Sequence, residues 1–204
     1  MRALLGSLLA VAALFAGAPA FAQAQQRSDF PPAIEAEIRG AKESMMSDQA
    51  EALRHAAAID GLALGLRAAR RRALALATAR WLAAEAHIRN EEPAKAAPLL
   101  TDGLNLIRSI PEPIKLRGDL LMSQGAFFMA RDQAVQALES YQNAFRIFGE
   151  VKEPRSQAIA LQNIGGLYSV ANDDARAEEY FHQAAVLFTD DPVLSLSLHN
   201  SRGN

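Results

Sequence analysis

At 204 residues the chain is long enough for one ordinary domain or a short helical array, and half of its residues are apolar, enough to build a core. Aromatics are scarce at 6% and alanine dominates the apolar set, which favours helices packed closely through small side chains over a β-sandwich. A net charge of −2 gives no reason to expect nucleic acid or an acidic membrane, and the absence of cysteine excludes disulfides, thiolate metal sites, cysteine nucleophiles and a lipid anchor on an N-terminal cysteine.

The first 24 residues have the three-part layout of a secretory signal. Arg2 supplies a positive charge, Leu4 to Phe15 is an uncharged apolar run, and Gly17 and Pro19 precede the small residues Ala20, Ala22 and Ala24. The run is too short to span a bilayer comfortably. Cleavage is expected after Ala24, with Ala22 as the second choice. The remaining chain, residues 25–204, is then expected to be exported, and periplasmic in a Gram-negative envelope.

Periodicity and punctuation predict helices over 32–46, 48–63, 66–89, 93–109, 112–130, 132–149, 155–171, 174–188 and 193–203. In the first pair the expected inward stripe is Ile34, Ile38, Met45, Leu53 and Ala57. Asn90-Glu91-Glu92-Pro93 and Asn172-Asp173-Asp174 read as polar turns that start the following helices, while Pro111-Glu112-Pro113 and Glu153-Pro154 separate units.

The later helices repeat. Leu161, Ile164, Gly165 and Tyr168 lead on to Ala177, Phe181 and Ala184; forty residues upstream stand Leu121, Gln124, Gly125, Phe128, Ala137, Tyr141 and Ala144. A further forty back, Trp81, Ile88 and Ala97 fit the pattern, whereas Glu85 and Thr101 do not. Each unit is read as two helices with a small-and-aromatic stripe that neither can bury alone, so neighbours must stack. The units are placed at 32–64, 66–110, 112–152 and 154–190, with a partial one at 192–204.

This pattern resembles the tetratricopeptide (TPR) signature of a large residue, Leu-Gly and Tyr in the first helix followed by Ala, Phe and Ala in the second. The spacing is similar to the long-repeat variant of kinesin light chains and several bacterial peptide sensors. The resemblance implies an all-α, right-handed α-solenoid of antiparallel helix pairs. It also implies a non-catalytic scaffold that binds a protein or peptide in its concave groove, without a cofactor. Leu198-His199-Asn200 echoes Leu161-Gln162-Asn163, so the chain reads as stopping inside a fifth repeat. Either it is a fragment, the favoured expectation, or the last helix is the cap. As a fragment it resembles the periplasmic sensor region of a diguanylate cyclase or histidine kinase, with catalysis encoded downstream. An uncapped end could also be buried by self-association.

No catalytic constellation is legible. His55, His87, His182 and His199 lack the spacing of a zinc helix, and the paired acids Glu91-Glu92, Asp173-Asp174, Glu178-Glu179 and Asp190-Asp191 sit at helix starts or on polar faces. No metal, nucleic-acid or small-molecule substrate site is expected. Arg67, Arg70 and Arg71 are read as one basic helix face, either simply solvated or a dock for an acidic partner or anionic lipid. The resemblance places the groove on Leu82, Ala86 and Arg89, on Met122, Ser123, Ala126 and Met129, on Gln162, Asn163 and Ser169, and on Asn200. In long-repeat families an asparagine at the place of Asn163 and Asn200 hydrogen-bonds the peptide backbone; here Ser123 and Ala83 hold the matching upstream places. A structural amide capping a neighbouring helix is the other reading of Asn163. Asp119 and Ile159 stand where the carboxylate clamp of chaperone-binding TPRs has a lysine, so chaperone C-termini are not expected ligands.

Overall fold

A computed structural model describes residues 30–187. The signal segment, the helix expected at 193–203, the partial unit with Asn200 and His199, and Asp190-Asp191 lie outside the described residues. Among those described, every regular element is an α-helix: α1 (Pro32–Ser44), α2 (Gln49–Ala63), α3 (Ala69–Arg89), α4 (Pro93–Leu106), α5 (Lys115–Met129), α6 (Ala134–Glu150), α7 (Pro154–Val170) and α8 (Asp174–Val186). No helix among them is long and apolar enough to cross a membrane.

Each helix packs on the next in chain order, and α3 also touches α1 and α5. Within pairs the helices run antiparallel: in α5 and α6, Gly118 lies against Phe148 while Gly125, one turn pair later, lies against the earlier Tyr141. The contact requires a missing side chain. A Cβ added at Gly125 would overlap the Tyr141 ring, and one at Gly165 would come 2.7 Å from the Phe181 ring. Glycine in mid-helix weakens the helix, and close approach of a large ring offsets that cost.

The buried stripe of each second helix recurs. Ala52, Ala56, Ile59 and Ala63 in α2 correspond to Ala96, Leu100 and Gly103 in α4 with Ile107 at its C-cap, to Ala137, Tyr141, Ala144 and Phe148 in α6, and in part to Ala177, Phe181 and Ala184 in α8. The step is therefore 44 residues, then 41, then 40. The interval of forty holds for the last two units only. One unit upstream the register moves by one residue: Thr101 is exposed, and Ala84, not Glu85, takes the buried place of Gly125. The extra residue sits in a connection, since Ile107 to Gly118 spans 11 residues and Phe148 to Ala158 spans 10. In the first pair Ile34 and Met45 are buried, and Ile38 and Leu53 pack on the same cluster. Ala57 is exposed instead, because α2 turns Ala52, Ala56 and Ile59 inward.

Four helix ends share one device. Glu91, Asp132, Lys152 and Asn172 have φ of 57–58°, in the left-handed region. At each, the following N–H reaches back to close the turn: Glu92 to His87 O at 2.8 Å, Gln133 to Phe128 O at 2.9 Å, Glu153 to Phe148 O at 2.8 Å and Asp173 to Tyr168 O at 2.9 Å. These are Schellman caps built without glycine. The Asn172-Asp173-Asp174 turn also caps α8 as expected, with the Asp173 side chain accepting from Arg176 N at 3.1 Å.

Candidate binding trough

Two adjoining clefts, together called the trough, lie along helices α3, α5 and α7. At one end a cleft of about 340 Å³ lies between Trp81, Glu85 and Arg89 of α3, Asp119, Met122, Ser123 and Ala126 of α5, and Ser156, Ile159 and Asn163 of α7, with Phe148 at its side. At the other end about 540 Å³ lies among Ala126, Met129, Gln162, Asn163, Gly166 and Ser169, with Tyr141, Leu167, Val170 and Phe181, and no charged side chain faces it. Ala126 and Asn163 belong to both ends.

The charged end is organised around Ser123, which is almost wholly buried. The indole N–H of Trp81 donates to Ser123 Oγ at 3.1 Å, and the hydroxyl donates to the Glu85 carboxylate, with the Asp119 carbonyl also 3.1 Å away. The second oxygen of Glu85 is 3.4 Å from the Arg89 guanidinium, which also reaches Met46 Sδ at 3.2 Å. Asp119 pairs with Lys115 at 2.7 Å. Burial raises the Asp119 pKa above the usual carboxylate range, and Lys115 opposes that rise. Tyr141, under the uncharged end, is pushed up to about 12 by burial. The ammonium groups of Lys42 and Lys115 stand 5.4 Å and 5.6 Å over the Trp81 and Phe148 rings.

Asn163 is half-buried between the two ends, and its side-chain amide makes no hydrogen bond among the described residues. It therefore caps no neighbouring helix there. Ser123 occupies the equivalent place in α5 and Leu82 in α3, following the step of 41 residues; Ala83 does not.

The trough brings together Arg89, Met122, Ser123, Ala126, Met129, Gln162, Asn163 and Ser169. It excludes Leu82 and Ala86. Both are buried in the cluster shared with α1 and α2, because the first pair packs over the face of α3 that carries them. The packing residues largely sit where the repeat requires. Ala137, Tyr141, Ala144, Leu161, Gly165, Ala177, Phe181 and Ala184 are buried, and Leu121, Phe128 and Tyr168 are half-buried against those clusters. Tyr168 stacks on Tyr180 with centroids 5.4 Å apart, and Arg176 covers Tyr168 at 4.3 Å. Trp81 both packs on the clusters either side and walls the trough.

Glu85 was legible in the sequence only as a residue that does not fit the repeat, and Asp119 only as one that stands where a clamp lysine would; neither was read as part of the trough.

The basic face is not assembled as expected. Arg67 precedes α3, which begins at Ala69, so it does not share a helix face with Arg70 and Arg71; Arg70 pairs with Glu112. Among the histidines, His55 bonds Glu37 at 2.7 Å and His87 bonds Glu92 at 2.9 Å, while His182 is exposed. No group of three or more potential ligands among the described residues is arranged to hold a metal ion.

No family model matches the chain, and no curated protein matches it. Among solved structures, the crystal structure of BtubC (BKLC) from P. vanneervenii is similar with a TM-score of 0.49 and 20% identity. The alignment covers 78% of this chain and 58% of that one, so the chain spans less than two thirds of its length. That likeness is too slight to assign a fold or a function.

Proposed function

We propose that the chain is a non-catalytic scaffold of TPR type, an α-solenoid that holds an extended peptide segment of a partner protein in the trough of α3, α5 and α7. The observation that carries this reading is the unpartnered amide of Asn163 at the trough's midpoint. The amide faces the open clefts on either side of it and keeps its donor and acceptor unused by the protein, so a peptide backbone can pair with both. Two further features support it. The floor beside Asn163 is Gly166, where nothing lies within 4 Å of a would-be Cβ, so a ligand backbone can approach the helix closely. The walls carry Met122 and Met129, whose flexible side chains adapt to varied contacts. Export to the periplasm rests on the character of residues 1–24 alone.

The test is selection of peptide binders from a random display library on the purified protein, followed by calorimetry with two variants. Gly166→Phe should fill the trough without loss of helix content and abolish binding. Asn163→Ala should weaken it about tenfold, the worth of a backbone pair. Binders insensitive to both substitutions would refute the trough as the site.

A further inference from the structure

We propose that the charged end of the trough receives a basic side chain of the bound peptide, a guanidinium or ammonium seated between the Glu85 and Asp119 carboxylates against the Trp81 indole. This inference rests on the peptide-trough reading and adds to it the chemistry of the occupant.

The two ends of the trough differ in kind. Around Met129 and Gly166 the lining is uncharged. Around Ser123, two of the three charged side chains in the lining are carboxylates, from adjacent first helices. The third, Arg89, is 40% exposed and touches Glu85 only at 3.4 Å, so it leaves that carboxylate weakly compensated. Glu85 itself is 21% exposed and Asp119 14%, which withholds the water that would otherwise solvate them. A cation entering the cleft regains that lost solvation.

The aromatic walls supply an independent argument. Trp81 and Phe148 border the same cleft, and each already has an ammonium over its ring, from Lys42 and Lys115. Neither lysine is itself part of the cleft lining, and of the two rings the half-buried Trp81 indole is the one that a further cation in the cleft can meet. An anionic side chain would instead meet two carboxylates and the negative ring faces. An apolar one would exclude water from both carboxylates and add no charge to them, leaving Asp119 with Lys115 alone and Glu85 with the Ser123 hydroxyl and the long Arg89 contact.

The occupant is thus a segment with one basic residue followed or preceded by uncharged ones, its backbone meeting Asn163. The same random display library tests this. Selected binders should carry arginine or lysine at one position beside uncharged residues. In a synthetic copy of the best binder, arginine replaced by isosteric, uncharged citrulline should lose about tenfold in affinity by calorimetry, a modest value for a desolvated cation. Glu85→Gln keeps the shape and an acceptor for Ser123. It should bind the arginine and citrulline peptides about equally, with an unchanged circular dichroism melt; Asp119→Asn is the second variant should that melt shift.

Binders blocked by Gly166→Phe but indifferent to charge would overturn the basic pocket and leave the trough standing. Binders enriched in acidic residues that depend on Lys42 and Lys115 would overturn it in favour of an anion. If no binder is blocked by Gly166→Phe, the trough and its basic pocket fall together.

Discussion

At the scale of single residues, the helix ends show where the chain holds unfavourable backbone. Lys152 lies at φ 58° with an exposed side chain and closes α6 onto α7. A non-glycine residue in the left-handed region costs about 1 kcal/mol, and nothing in its surroundings uses the lysine side chain to offset it. Lys152→Gly is expected to raise stability by up to about 0.5 kcal/mol in urea denaturation, after allowing for the greater freedom of glycine in the unfolded chain. No gain would mean that the side chain contributes something the geometry does not reveal. The glycines divide by the same physics. Gly125→Ala places a methyl into the Tyr141 ring and should destabilise by about 1–3 kcal/mol. Gly61→Ala meets no neighbour and should stabilise α2 by about 0.5–1 kcal/mol. Thermal melts that rank the two alike would show that α6 yields at no cost.

At the scale of elements, α3 and α4 are joined by a turn whose stability depends on pH. Glu92 accepts hydrogen bonds from Lys95 at 2.6 Å and His87 at 2.9 Å, which hold its carboxyl down at about 2. A carboxylate depressed on folding stabilises the folded state above its ordinary pKa of 4.5, and that contribution is lost as pH falls towards about 2. The melting temperatures of the wild type and Glu92→Gln are therefore expected to differ at neutral pH and to converge in strong acid. Parallel curves throughout would show that the turn does not use the charge. Helix existence was readable in the sequence because each stripe has a helical period and each turn has its own polar or proline signal. Pro93, Pro154 and Asp174 begin α4, α7 and α8 at or next to the places expected. Four starts fell later than expected, by one residue at Gln49, two at Ala134 and three at Ala69 and Lys115, the last two because Ala68 and Ile114 are extended. Those connections also absorb the unequal steps, which is why counting by forty misplaced Ala84 and assigned Leu82 to the wrong face.

At the scale of the whole molecule, most contacts join helices near in sequence, and polar ties reach across more than one pair. Arg80 of α3 donates to Asp60 of α2 and, at 2.7 Å, to Asp102 of α4. Burial works against its charge, and the two carboxylates more than compensate, leaving its pKa raised. One oxygen of Asp60 is buried without a hydrogen-bond partner, so the guanidinium is what keeps this carboxylate tolerable. Arg80→Met should cost about 1–2 kcal/mol, below the figure for a fully buried pair because all three groups keep some solvent. Adding Asp60→Asn should recover part of the loss in a double-mutant cycle; strict additivity would deny the tie. The trough was the least legible feature at this scale. Its residues come from three helices, and which of them share a wall depends on registers set in the connections. Trp81 is the chain's only tryptophan, and it stands in that wall with its N–H on Ser123. The molecule thus carries its own unlabelled optical reporter: whatever settles in the charged end alters the polarity around the one indole that emits, and ligands bound elsewhere leave its spectrum unmoved.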